Sequence, residues 1–144
     1  MNARAARGRN RILLVGHMAF GVEMVGSYMR IRLYDTLTDA DLRGLADAVI
    51  VIEAQLTTTP SRVADLSGLT RLEVGYNGVD ALAQRRRDIR VKGTSRTALV
   101  AANDMQFGVA RMYQTLNDHP QITTEIFRDL ESALAWVAGE KTKP

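Results

Sequence analysis

"TALVAANDMQFGVARMYQTL", residues 97–116, decides the architecture of this chain. Thr97–Ala102 is almost continuously apolar, the pattern of a central strand covered on both faces. Asn103 or Asp104 then caps a helix. Met105, Val109, Met112, Tyr113 and Leu116 recur at helical spacing and give that helix an inner stripe. A buried strand that feeds straight into an amphipathic helix implies a right-handed crossover to a parallel neighbour.

Working outward, the same alternation continues in both directions. Downstream, Asp118-His119-Pro120 reads as a turn and Ile122–Phe127 as a strand. Asp129 caps a last helix with Leu130, Ala133, Leu134 and Val137 inward and Gly139 near its end. Upstream, Asn77–Arg87 reads as a helix, and Arg62–Leu66 as a strand that runs into a turn at Asp65-Leu66-Ser67-Gly68. Earlier still, Thr38 caps a helix whose stripe is Leu42, Leu45, Ala46, Val49, Ile52 and Leu56. Ala48–Ile52 alone would pass for a strand, but the stripe starts before it and continues after it. Val22–Val25 and Tyr28–Leu33 flank Gly26-Ser27, the signature of a type II′ hairpin. The sum is an α/β domain over residues 18–139: a mostly parallel sheet of about five strands, an antiparallel N-terminal hairpin and about four helices.

Composition narrows the function classes. The chain has 144 residues, 46% hydrophobic and 24% charged, with a net charge of +3 and no cysteine. Disulfides, thiolate metal sites and cysteine nucleophiles are excluded together, which fits a reducing cytoplasm. No apolar run approaches the length of a bilayer crossing. Residues 1–17 read as a flexible extension with Met18 as a second start, and 140–144 as a tail. Ile12-Leu13-Leu14-Val15 is too short for a signal-peptide core. Arg4, Arg7, Arg9 and Arg11 form one basic cluster, and Arg85, Arg86, Arg87, Arg90 and Lys92 a second. No aromatics interleave with them, so the expectation is a solvated arm and a solvated helix end, without nucleic acid.

Catalytic signatures are sparse. The two histidines, His17 and His119, have no metal-ligand spacing, and no G-x-S-x-G elbow is present. Neither a phosphate loop nor a dinucleotide fingerprint occurs; Gly75-Tyr76-Asn77-Gly78 lacks the spacing. The expected catalytic, metal and cofactor sets are therefore empty. Asp65 stands at the expected C-terminal end of its strand, where open α/β sheets bind ligands. As a turn residue it would instead bond the backbone of Ser67 or Gly68. Arg111 lies on the third helix as a solvated residue or an anion contact.

Two stretches bear a family likeness. "RVADLSGLTRLE" (62–73) resembles the strand-and-turn motif of STAS domains, the bacterial anti-sigma-factor antagonists. Residues 97–137, with Phe107-Gly108-Val109-Ala110-Arg111-Met112-Tyr113, Ile126-Phe127-Arg128-Asp129 and Ala135-Trp136-Val137, are similar to small bacterial SpoIIAA-like proteins of unassigned function. The resemblance implies a STAS fold and a regulatory domain that binds a protein partner or its own copy, at the rim Glu73, Gly75, Tyr76, Asn77 and Gly78. It also implies a phosphorylatable serine after the strand, within D-S-S-G. Here Glu73 matches the aspartate, but Val74 and Gly75 occupy the serine positions. Two other readings stand beside it. One is a carrier of a small molecule or lipid, with Leu37, Met105, Phe107 and Met112 bordering an apolar pocket. The other is an enzyme using Asp65 and Arg111, which requires both side chains in one cleft.

Overall fold

An antiparallel hairpin opens the sheet and parallel crossovers extend it. The computed structural model describes residues 12–14 and 20–139. The N-terminal arginine cluster, His17, Met18 and the tail 140–144 lie outside the described residues. Ile12–Leu14 (β1) pairs antiparallel with Phe20–Val25 (β2), and β2 with Tyr28–Thr38 (β3). Val25 faces Tyr28 across a two-residue loop. Gly26 takes φ 61° there, the backbone the hairpin demands and glycine adopts without steric cost. β1 falls within the stretch read as an extension and adds an edge strand to the anticipated set.

Parallel pairing follows, β3 with Ser61–Glu73 (β4), β4 with Ser95–Val100 (β5) and β5 with Ile122–Phe127 (β6). The six-stranded sheet therefore runs in chain order. Asp39–Glu53 (α1), Tyr76–Asp88 (α2) and Asp104–Leu116 (α3) make the crossovers, and Leu130–Val137 (α4) closes the domain. Helix starts follow from their caps. Thr38 and Asp41 form a reciprocal capping box on α1, Asn103 and Gln106 one on α3, and Asp129 accepts from Ser132 N–H on α4. Leu56, last of the expected stripe, lies beyond the end of α1.

β4 departs from expectation. It does not stop at Leu66 but continues to Glu73, and Asp65-Leu66-Ser67-Gly68 is a bulge rather than a turn. Arg32 pairs with Asp65 and Tyr34 with Gly68, so 65–68 on β4 spans 32–34 on β3. A second extra residue enters between Leu69 and Arg71, opposite Asp35 and Thr36, and Asp35 there takes φ 55°. Composition read as turn because Ser and Gly favour turns locally. β3 nevertheless supplies a partner along the whole length, and a bulge accommodates the misfit without breaking the ladder. Gly68 has a steric reason as well: a Cβ would stand 2.8 Å from the Leu33 carbonyl oxygen.

Strand alternation splits the core over two faces of the sheet. Ala64, Leu66, Leu99 and Ala101 pack with Leu42, Leu45 and Val49 of α1, Val79 of α2, and Val109 and Ala110 of α3. Val63, Ala98 and Val100 point the other way, onto Ala133 of α4.

Candidate functional site

Glu73, Gly75, Tyr76, Asn77 and Gly78 form one continuous rim where β4 ends and α2 begins. Val74 packs against the core, and Val79 is buried one turn into the helix. The rim is thus held from both sides. Gly75 is the N-cap and offers no side-chain bond to the first helical N–H groups, unlike the caps of α1, α3 and α4. Tyr76 is 58% exposed, and Asn77 is exposed beside it. Gly78 lies close against α1, where a Cβ would collide with the Asp39 carboxylate. Glu73 pairs with Arg71 at 3.3 Å, both well exposed, an interaction worth little in water.

Asp65 and Arg111 stand apart from that rim. Asp65 lies roughly 20 Å back along the strand from Glu73, six residues of the facing β3. Its Oδ1 accepts the Ser67 N–H at 2.9 Å and the Ser67 hydroxyl at 2.6 Å, which fixes the bulge. By alternation it shares the α4 face with Val63. Arg111 is on α3, across the sheet, exposed, 5.6 Å above the Phe107 ring and 3.3 Å from Gln114 Oε1. The two positions lie on opposite faces of the sheet, so they do not form the single cleft that an Asp65–Arg111 enzyme requires. His119 Nδ1 accepts the Gln121 N–H at 3.0 Å and shapes its turn.

A second feature lies beneath the helices. Between the sheet and α1, α2 and α3 is an apolar cavity of about 100 Å³, walled by Leu33, Leu42, Leu45, Val49, Leu66 and Val79 among others. Of the four residues expected to border a pocket, Leu37 does; Met105, Phe107 and Met112 pack against the core from α3 instead. The cavity wall also includes Arg62 and Arg86, which share one carboxylate. Glu53 Oε2 accepts from Arg62 Nη2 at 2.9 Å, and Oε1 from Arg86 Nη1 at 2.7 Å. All three side chains are at most 8% exposed. Burial first, then the Arg62 charge, push the Arg86 guanidinium below its ordinary pKa, while the Glu53 charge opposes the shift. Burial holds the Tyr113 phenol, also on the wall, above its ordinary value and so neutral.

The second basic cluster is a solvated helix end only in part: Arg90 and Lys92 are exposed, but Arg85–Arg87 are engaged. Arg86 is inside, Arg85 reaches Asp47 at 2.9 Å, and Arg87 donates to the Leu116 carbonyl. Charge type hid what spacing contained: Val79, Ala83 and Arg86 lie on one helical stripe, and Glu53 continues that of Val49. On β4, Arg62 alternates in phase with Ala64 and Leu66.

Among the described residues, no group of three or more His, Asp or Glu is placed to hold a metal ion. No described helix is long and apolar enough to cross a membrane. No protein-family model matches the chain, and no curated protein matches it. Solved structures do. A protein of the DUF3478 family with a SpoIIAA-like fold, from Shewanella loihica PV-4, superimposes with a TM-score of 0.58 at 17% identity, over 87% of this chain and 99% of its own. An anti-sigma factor antagonist from Mycobacterium paratuberculosis gives 0.53 at 17% identity, over 92% and 97%. The chain has the SpoIIAA-like, STAS-type α/β fold.

Proposed function

We propose that this chain is a regulatory binding domain that makes no covalent change in its partner, and that it docks a protein through the rim Glu73, Gly75, Tyr76, Asn77 and Gly78. Tyr76 carries the reading. It is a large aromatic held outward at the first turn of a helix whose Val79 and Ala83 are buried, and the core makes no use of it. Tyrosine in such a place is a frequent interface anchor, because it buries much area while losing little side-chain freedom. The uncapped N–H groups of α2 and the Asn77 amide add polar partners at the rim edge. The shared fold supports the reading, since one of the matching structures is named an anti-sigma factor antagonist.

Docking here is not switched by a phosphoserine at the position the resemblance implies, because Val74 and Gly75 stand there. The serine and threonine that precede the rim in sequence are bonded elsewhere, Ser67 to Asp65, and Thr70 Oγ1 to the Asp35 carbonyl at 3.4 Å, and the hydroxyl at the rim itself is that of Tyr76. Glu73 sets a permanent negative charge beside the rim. The test is affinity capture from the native host with the tagged full chain and with a Tyr76→Ala/Asn77→Ala variant. Specific partners vanish from the variant while its melting temperature is unchanged. If every partner stays, the rim assignment fails. Sedimentation velocity on the same pair identifies a second copy as the occupant, through a dimer that the substitutions dissolve.

A further inference from the structure

The cavity under α1 and α2 ends at a charged cluster whose donors are not all used. Arg86 Nε and Nη2 and Arg62 Nε are buried and have no hydrogen-bond partner among the described residues. We propose that the cavity binds a small monocarboxylate with an apolar body, its carboxylate on Arg86 and Arg62 and its body among Leu42, Leu45 and Val49. The charged anchor of this site is separate from the rim and its test does not depend on the rim docking a protein, although the neighbouring surface groove shares Asn77 and Gly78 with the rim.

Charge balance is the first argument. Among the described residues two guanidiniums share the single Glu53 carboxylate, which leaves the buried cluster one unit of positive charge in excess. Uncompensated buried charge is costly, and an anion seated beside it removes the imbalance. Geometry is the second. Arg86 gives Nη1 to Glu53, and its unused Nε and Nη2 lie along one edge of the planar guanidinium, covered by neighbouring atoms, so a carboxylate engages that edge as the side chain turns toward the cavity. That edge is the fork a carboxylate engages with two parallel bonds. The remaining wall is the third. Apart from Arg85, Thr97 and Tyr113, the rest of the wall is aliphatic, so a ligand with charge along its length would bury polar atoms against apolar side chains. One charge on an apolar body fits.

The entrance belongs to the α1–α2 side of this proposal. A surface groove of about 250 Å³ between α1 and α2 shares Leu42, Ala46, Leu82 and Arg85 with the cavity wall. Arg86 and Glu53 lie toward the C-terminal ends of α2 and α1, while Asn77, Gly78 and Asp39 of the groove lie at their N-terminal ends. A chain anchored at Arg86 therefore runs along the helices, and its tail meets the groove.

The test titrates the full chain with sodium octanoate and, in parallel, with 1-octanol, which keeps the tail and lacks the charge. Calorimetry and methyl NMR read the binding. Octanoate shifts the Leu45 and Val49 methyls saturably and binds at least about tenfold tighter than octanol. Arg86→Met, which leaves the Glu53–Arg62 pair intact, removes that preference. Ala46→Leu, which narrows the cavity and leaves the arginines alone, weakens both compounds. Should Arg86→Met fail to fold, the octanol comparison and Ala46→Leu decide. Absence of a saturable octanoate shift, equal affinity for octanol, or octanoate binding undiminished in folded Arg86→Met or Ala46→Leu overturns the proposal.

Discussion

Glu53 is the point on which the buried charge converges. Each of its oxygens holds a different arginine, at 2.9 Å and 2.7 Å. Removing its charge leaves two buried guanidiniums facing each other, and breaking a buried ion pair in this way costs about 3–5 kcal/mol. Glu53→Gln is expected to lower the urea midpoint accordingly. Replacing the whole cluster, Glu53→Leu with Arg62→Met and Arg86→Met, recovers most of that loss, because no unpaired charge remains. Chemical denaturation of the two variants against the parent checks both statements. At this scale the sequence was legible in phase but not in meaning. Spacing places Glu53, Arg62 and Arg86 on inward stripes, yet residue type argues for solvent, and only the three elements together supply the partners that make burial tolerable.

β4 shows the same tension at the level of the element. β5 stops at Val100, opposite Asp65, so the second half of β4 has no strand on that side. Gln106 of α3 takes over. Its Nε2 donates to the carbonyls of Leu69 at 2.9 Å and Ser67 at 3.2 Å, while its Oε1 accepts from the N–H groups of Ala102 and Asn103. At 1% exposure it serves both as the second half of a capping box and as a substitute strand edge. Gln106→Leu keeps the volume and strands these groups. It is expected to destabilise the domain by about 1–3 kcal/mol. It should also speed amide exchange in Leu69–Glu73 more than in Arg62–Ala64, which hydrogen–deuterium exchange resolves. The N-cap position of Asn103 was readable three residues before Gln106. That the same side chain reaches β4 was not, since the distance in sequence is large and nothing local marks it.

The whole molecule is two small cores sharing one sheet. Trp136 lies 5.5 Å from Phe127 on the α4 side, under the Arg96 guanidinium, while Leu45 and Val49 lie in the core under α1. β4 and β5 contribute side chains to both faces, so neither core survives loss of the other. Unfolding in urea followed by Trp136 fluorescence and by the Leu45 and Val49 methyl signals is expected to give coincident midpoints. Two separated transitions would mean that α4 docks independently. Residues read in order were enough for the α/β alternation, the helix stripes, the hairpin at Gly26 and the helix that starts near Asn77. These depend on periodicity, capping and turn chemistry within a few positions of each other. Tertiary structure alone decided the length and bulges of β4, the burial of Arg86, the reach of Gln106, and the cavity. Each of those depends on a partner far away in the chain, and pairing across such distances outweighs the local preference from which a sequence is read.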